Sequence, residues 1–256
     1  MARNKPGKKS SAKQRLDLIL VEKGLIRSRE RAKTMIMAGK VLVNDMVADK
    51  PGTQVSREAV IKVKEEDHPY VSRGGLKLEK ALNAFPVTAK GCVCLDIGAS
   101  TGGFTDCLLK NGAKKVYAVD VGYGQLDWSL RKDERVIVIE RTNIRHLEYE
   151  KVNETMDMVV ADTSFISLKT VIPSAEKFMG EGTVILALIK PQFEAGKENV
   201  GKGGVVKDPD VRKQVVEDIK SFFKTRGYGV NDVVTSPILG PKGNEEYMIS
   251  LEYKNK

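Results

Sequence analysis

The sequence predicts an α/β protein: a doubly wound, largely parallel sheet of seven strands with a small basic α+β module in front of it. Three observations carry the prediction. Short apolar runs at 93–97, 116–120, 136–139, 158–162 and 184–190 alternate with helical stretches, as parallel strands covered on both faces do. The first run leads straight into a glycine-rich turn, Gly98-Ala99-Ser100-Thr101-Gly102-Gly103, at the start of a helix. The charge is also split, with 16 Lys/Arg against 6 Asp/Glu in residues 1–64 and 27 against 28 in residues 65–256. Such a split suits a polyanion-binding arm on a nearly neutral body.

Residues 1–14 are basic, contain Gly, Pro and Ser, and lack periodicity, so they read as a flexible tail. The module spans 15–64. Leu16, Ile19 and Leu20 form a helical stripe that Gly24 ends. Ser28 caps a second helix, with Ala32, Met35 and Ile36 inward and Arg27, Arg29, Arg31 and Lys33 on its other face. Strands follow at 40–45 and 59–64. The acidic, proline-containing stretch 65–72 reads as a linker, and 73–256 as the larger domain. Its first helix follows Ser72-Arg73-Gly74-Gly75 and ends at Phe85-Pro86, and a second, 104–110, is stopped by Asn111-Gly112. A short helix holds Trp128 and Leu130, another lies between Ser167 and Phe178, and Asp208-Pro209 opens a long one to Arg226. The last two strands, 229–235 and 246–253, are joined by a loop with little room for a helix, which predicts an antiparallel pair.

A chain of 256 residues, 41% hydrophobic and 30% charged, can build one full core and a small one. The longest apolar run, 183–189, is a strand by length and far short of a membrane span. The basic N-terminus has no apolar stretch behind it of the kind a signal peptide needs. Cys92, Cys94 and Cys107 form neither a disulfide framework nor a metal signature, and His68 and His146 are widely separated. No metal is expected, and a reducing, cytoplasmic location is.

Gly98, Gly102 and Gly103, with Ser100, would let the backbone pass close to a ligand at a helix N-terminus. Ser100 stands where the dinucleotide fingerprint has its second glycine, so that fingerprint fits poorly. Asp96, two residues before the first glycine, better suits S-adenosylmethionine, which has no pyrophosphate to cradle and offers an ammonium to a carboxylate. An ordinary strand-to-helix turn is the alternative. Ligands of open α/β sheets lie beyond the carboxyl ends of the strands, where Asp96, Asp120, Asn143, Asp162 and Lys190 fall. Asp120 is placed for the ribose hydroxyls of an adenosyl group and Asn143 for the adenine. Capping of the next helix competes as the role of any one strand-end acid. The expected cofactor set is Asp96, Gly98, Ser100, Gly102, Gly103, Asp120, Asn143 and Asp162. Lys190 ends a buried run, so its amine needs a partner, and Asp162 on the neighbouring strand is the obvious one. The glycines of 193–205, beside Lys197 and Lys202, make either a mobile lid or a plain flexible loop.

The stretch RLDLILVEKGLIRSRERAKTMIMAGKVLVNDMVADKPGTQV resembles the S-four RNA-binding domain through its R-L-D-x-x-L, S-R-x-x-A and G-x-V-x-V-N elements. That resemblance implies binding of structured RNA, with Arg15, Arg27, Arg29, Arg31 and Lys33 as the basic contacts. SRGGLKL, DIGASTGGFT, DVGYGQL, RTNIR, VVADTSFISL, LIKPQFEAGK, GGVVKDP and GNEEYMISL resemble the TlyA family and, more distantly, the FtsJ-type RNA ribose methyltransferases. This second resemblance implies a Rossmann-like, seven-stranded S-adenosylmethionine-dependent methyltransferase sheet. It also implies 2′-O-methylation of a ribose, typically of a cytidine in ribosomal RNA, with ribosomal RNA or ribosomal subunits as partner. A tetrad of Lys77, Asp162, Lys190 and Glu246 comes with it, Glu246 being preferred to Glu245 by the tyrosine that follows.

A ribose hydroxyl is a weak acid that must lose its proton as it attacks a methyl group in line. Lys190 is the candidate base, Lys77 a second cation that would favour its neutral form, and Asp162 and Glu246 would orient the amines. The absence of an N-P-P-Y type motif argues against methylation of an exocyclic base amine. Two other classes compete. A non-catalytic RNA-binding or ribosome-assembly factor would be expected to have lost part of the tetrad. A cytolysin, a label often given in this family, would be expected to show a membrane span or a strongly amphipathic apolar helix.

Overall fold

The structure, a computed structural model, describes residues 13–26, 28–64 and 68–255. Residues 1–12 of the expected tail, 65–67 of the expected linker and Arg27 lie outside the described residues. The chain divides into two compact units, 1–68 and 69–256.

The first unit runs β1 (Lys13–Arg15), α1 (Leu16–Glu22), α2 (Arg29–Met37), β2 (Val41–Val43), β3 (Met46–Ala48), β4 (Gln54–Ser56) and β5 (Ile61–Val63). The apolar stripes of α1 and α2 meet over Val41 and Val55, forming a small core of Leu16, Ile19, Leu20, Ala32, Met35 and Ile36. Ser28 caps α2 by accepting the Arg31 amide at 3.2 Å. Asn44 and Asp45, at φ 51° and 64°, turn β2 back into β3 in the left-handed conformation that short hairpins require. Lys13 and Gln14, expected in the tail, instead pair through their backbone with Ser56 and Val55.

The second unit contains α3 (Gly74–Ala84), β6 (Val93–Ile97), α4 (Gly103–Lys110), β7 (Lys115–Val119), α5 (Trp128–Arg131), β8 (Val136–Ile139) and β9 (Met156–Ala161). It continues with α6 (Leu168–Ser174), β10 (Met179–Ile189), α7 (Pro191–Glu194), α8 (Pro209–Thr225), β11 (Gly229–Thr235) and β12 (Tyr247–Glu252). The sheet order is β11-β12-β10-β9-β6-β7-β8, with β12 antiparallel to both neighbours and the other pairs parallel. Helices cover both faces, so each face has its own core, one around Leu95, Val159, Ile185 and Phe223, the other around Cys94, Leu108, Val160 and Leu186. Neighbouring residues on a strand point to opposite faces, which is why whole strands read as continuous apolar runs. Ile97 is registered with Ala161, and Ala161 with Ala187, so β6 and β9 end together and β10 runs two residues further. No helix of the described residues is long and apolar enough to cross a membrane.

Candidate active site

The chain leaves β6 to build β7 and β8 on one side and returns to β9 on the other, which opens a crevice beyond the carboxyl ends at β6 and β9. Gly98, at φ +83°, lets the two strand ends lie against each other. A Cβ there would come within 2.7 Å of the Asp162 carbonyl oxygen. Gly103 is equally constrained, because a Cβ would stand 2.3 Å from Ser72 Oγ where the start of α4 meets the start of α3. These glycines answer first to packing within the protein, although both still line the crevice. Gly102 does not line it. Its α-carbon faces Leu126 and Leu130, and a Cβ would lie 2.2 Å from Leu130 Cδ1.

Three clefts meet at this edge. One of about 420 Å³ is walled by Ser72, Lys77, Gly98, Ser100, Asp162 and Lys190 among others. A second, about 380 Å³, has Asp120, Asn143, Val121 and Ile144 on its walls and shares Gly98, Ser100 and Asp162 with the first. The third, about 640 Å³ and mostly apolar, lies beyond Lys190 between Phe165, Phe193, Lys197 and Lys242. Ser164 borders all three.

Asp120 holds the second cleft open by accepting the Ser100 amide at 2.8 Å and the Gly122 amide at 2.7 Å, one on each oxygen. Each oxygen keeps a lone pair. Asn143 accepts the Arg145 amide at 3.1 Å and caps a single 3₁₀ turn at the wall of the same cleft. Asp96 is wholly buried and lines none of the clefts. Thr105 donates to its Oδ2 at 2.6 Å, while Oδ1 has no hydrogen-bond partner. Burial pushes its carboxyl up to about 7, despite the Thr105 bond.

An elongated group with a nucleoside at one end and an ammonium at the other fits these residues. It would find a carboxylate and an amide beside apolar walls in the second cleft, and an unpartnered buried carboxylate oxygen beneath the turn between the two.

The Asp96 shift has a testable sign. The unfolded chain loses this proton near pH 4 and the folded one near 7, so stability falls as pH rises through that window. Asp96→Asn keeps an acceptor for Thr105 and removes the cost. Denaturation should find it more stable than the parent at pH 8, by up to roughly 4 kcal/mol, and little different at pH 4. A gain independent of pH would show that the carboxylate is not the cause.

The four residues of the expected tetrad come together where the first and third clefts meet. Lys190 Nζ lies 2.5 Å from Asp162 Oδ1, and Lys77 Nζ lies 3.8 Å from Asp162 Oδ2 and 2.7 Å from Glu246 Oε2. The charges therefore alternate in a row, Lys190–Asp162–Lys77–Glu246. Both lysines are 7% exposed and Glu246 is fully buried. Buried charges persist only when paired and hydrogen-bonded. Further bonds complete the row, from Lys190 to Ser164 Oγ at 3.1 Å and from Gln192 to Glu246 Oε1 at 3.2 Å. Gly240 makes room for the Glu246 carboxylate, since a Cβ there would lie 2.1 Å from Oε1. Glu245 turns the other way, accepting from Tyr247 Oη at 2.7 Å, with Arg212 at 3.5 Å.

Sequence reasoning passed over Ser164, Gln192, Phe165 and Phe193. Phe165 is 89% exposed at the mouth of the third cleft, at φ +64°, with its ring centroid 4.9 Å from that of Phe193. A large aromatic three residues after a strand-end acid was a usable signal, because an aromatic face beside a ligand crevice can stack on a base. The 193–205 loop is ordered into α7, a 3₁₀ turn and a Gly201–Val205 bridge, and Asn244 ties it down through Gly204 O and the Val206 amide at 2.8 and 3.1 Å.

In the first unit, Arg15, Arg29 and Arg31 of the expected RNA contacts are engaged from within. Arg15 forks onto buried Asp17 at 3.0 and 2.9 Å, and Arg29 joins it at 3.0 Å. These bonds, the Arg15 fork foremost, pull the Asp17 carboxyl down to about 2. Arg31 contacts His68 at 2.7 Å, and Lys33 is half-buried. The guanidinium groups are oriented by these contacts and remain partly exposed at Arg15 and Arg29.

A seven-stranded sheet with one antiparallel insertion and a crevice at β6/β9 defines the Rossmann-like methyltransferase fold. The chain belongs to the FtsJ-like methyltransferase family, whose profile it matches over residues 70–253, and it carries an S4 domain over residues 14–61. It is 50% identical over 245 residues to the Bacillus subtilis protein YqxC, provisionally named an rRNA methyltransferase, covering 95% of this chain and 87% of that one. It is 49% identical over 238 residues to the 16S/23S rRNA (cytidine-2′-O)-methyltransferase TlyA of Mycobacterium tuberculosis, covering 93% and 89%. A solved structure from Streptococcus thermophilus, provisionally labelled a hemolysin, superposes with a TM-score of 0.74 at 42% identity, covering 96% of this chain and 90% of that one.

Proposed function

We propose that this chain methylates a ribose 2′-hydroxyl, that of a cytidine in ribosomal RNA, using S-adenosylmethionine. The row Lys190–Asp162–Lys77–Glu246 carries the proposal, because it stands where a cleft suited to the cofactor meets a cleft suited to a base. The substrate class follows the name of the 49% identical Mycobacterium tuberculosis relative. When bound, S-adenosylmethionine supplies an electrophilic methyl group.

The protein's own residues do the rest. Asp120 would accept from the ribose hydroxyls of the cofactor and Asn143 would meet its adenine, while Asp96, enclosed beneath the turn, would act on its ammonium through its charge alone. Phe165 and Phe193 offer faces for the target base, and Lys197 and Lys242 lie at the rim for phosphates. Lys190, in its neutral amine form, takes the proton of the 2′-hydroxyl, becomes the ammonium paired with Asp162, and then releases the proton to solvent, which its 7% exposure allows. Asp162 and Glu246 hold the two amines in place, and most of the acceleration comes from positioning.

The direct test is transfer of a labelled methyl group to separated ribosomal subunits, followed by mapping of alkali-resistant positions. No transfer to either subunit would reject the reading.

Two further outcomes are expected. Asp120→Ala should weaken S-adenosylmethionine by ~1–3 kcal/mol in calorimetry, the worth of a hydrogen bond to a charged group. Unchanged affinity, measured with and without RNA, would remove Asp120 from the site. Deleting residues 1–64 should weaken subunit binding and flatten its dependence on salt, since fewer phosphate contacts release fewer counterions. A truncated chain that binds and methylates normally would show that the basic unit is not the recognition arm.

A further inference from the structure

The loop 162–167 carries Asp162, Ser164 and Phe165, and its apex is strained. Phe165 sits at φ +64°, where a bulky side chain is disfavoured, yet it is 89% exposed, so no burial of its ring holds it there. What holds it comes from one short segment of the neighbouring strand end. At the near end of the loop, Lys190 contacts Asp162 at 2.5 Å and Ser164 Oγ at 3.1 Å. At the far end, Glu194 accepts from Ser167 Oγ at 2.6 Å on one oxygen and from the Leu168 amide at 2.8 Å on the other. Ser167 in turn accepts the Lys169 amide at 3.1 Å, so Glu194 completes the cap of α6. Lys190 and Glu194 stand four positions apart, one turn of α7 with its N-cap, and that turn fixes the spacing of the two clamps. Glu194 lines none of the three clefts and touches none of the tetrad.

We infer that Glu194 is a positioning residue: by pinning Ser167 and Leu168 to the segment that carries Lys190, it holds Phe165 in its strained, outward conformation over the third cleft. The inference rests on the proposed methyl transfer only for its kinetic consequence. A helix cap with no such role would stabilise α6 and leave the apex of the loop indifferent.

The test is a double-mutant cycle between Glu194→Ala and Phe165→Ala, read by methyl transfer to ribosomal subunits and, separately, by amide hydrogen exchange of segment 163–168. Glu194→Ala is expected to lower kcat/KM about tenfold or more, mainly by raising KM for RNA, with a smaller loss of cofactor affinity because Phe165 also borders the second cleft. In the Phe165→Ala background it should cost less than about threefold, because the side chain it positions is already gone. Exchange in 163–168 should speed up about tenfold or more. Glu194→Gln, which can accept from Leu168 and donate to Ser167, should restore most of both readouts. Ser167→Ala breaks the same clamp from the other side and should act in the same direction, which covers the case of a poorly folding Glu194→Ala.

Effects that multiply in the cycle, or exchange unchanged in both clamp variants, would overturn the inference. If the parent chain itself transfers no methyl group, the proposed function fails, and the exchange measurement alone decides whether the clamp exists.

Discussion

Lys190→Ala is expected to lower methyl transfer to ribosomal RNA by ~10²–10⁴-fold, the usual contribution of a general base, while leaving S-adenosylmethionine affinity nearly intact. The separation follows from geometry. Lys190 borders the first and third clefts but not the second, which is proposed for the nucleoside end of the cofactor, and its amine points to Asp162 and Ser164. Lys190→Arg is the sharper variant. It keeps the positive charge and can fork onto Asp162, but a guanidinium does not give up its proton in the accessible range. Turnover should be lost there as well. Near-normal turnover of a folded Lys190→Arg chain would show that the residue positions the hydroxyl and that the proton leaves by water. Single-turnover rates with saturating cofactor, beside a thermal melt, separate lost chemistry from lost fold.

The sheet was legible because strands buried on both faces leave long apolar runs that no surface helix needs, as at 184–190, and because Asp208-Pro209 announces a helix by capping chemistry alone. The β1–β4 ladder was not legible. Its sequences, KQR and QVS, are polar and short, and their pairing is made by backbone groups that carry no side-chain signature. Strand-end residues could be placed at the crevice, since topology alone brings them there. Whether a given side chain faces the crevice depends on the pleat, and this separates Asp120, on a cleft wall, from Asp96, enclosed beneath it. The glycines were assigned to ligand approach, whereas Gly102 serves the contact with Leu130. A glycine in a sequence marks a close approach without naming the partner. Charged partners were equally hidden: a basic helix face predicts a polyanion, but Asp17, on another helix, already orients Arg15 and Arg29.

Lys77→Met should leave transfer slow at pH 7 and recover much of it as the pH is raised. The row of four contains two ammonium groups and two carboxylates, so it is neutral overall. Removing Lys77 leaves one excess negative charge beside Lys190. Negative charge favours the protonated amine, so the fraction of Lys190 able to accept a proton at pH 7 falls. The expected loss is on the order of 10–100-fold at pH 7 and shrinks at higher pH. Methionine retains the volume of the lysine stem but still strands the buried Glu246 carboxylate, at roughly 3–5 kcal/mol, so the rates are read on protein shown to be folded. Glu246→Gln supplies the opposite sign. It removes a negative charge, keeps one acceptor for Lys77 and places an amide donor where a turned Gln192 can offer its oxygen, and it should move the rising limb of the pH–rate profile to lower pH. A merely structural row predicts lower melting temperatures in both variants and profiles parallel to that of the parent. Parallel profiles in folded protein would end the view that Lys77 sets the protonation of Lys190, even if Lys190 itself proved indispensable.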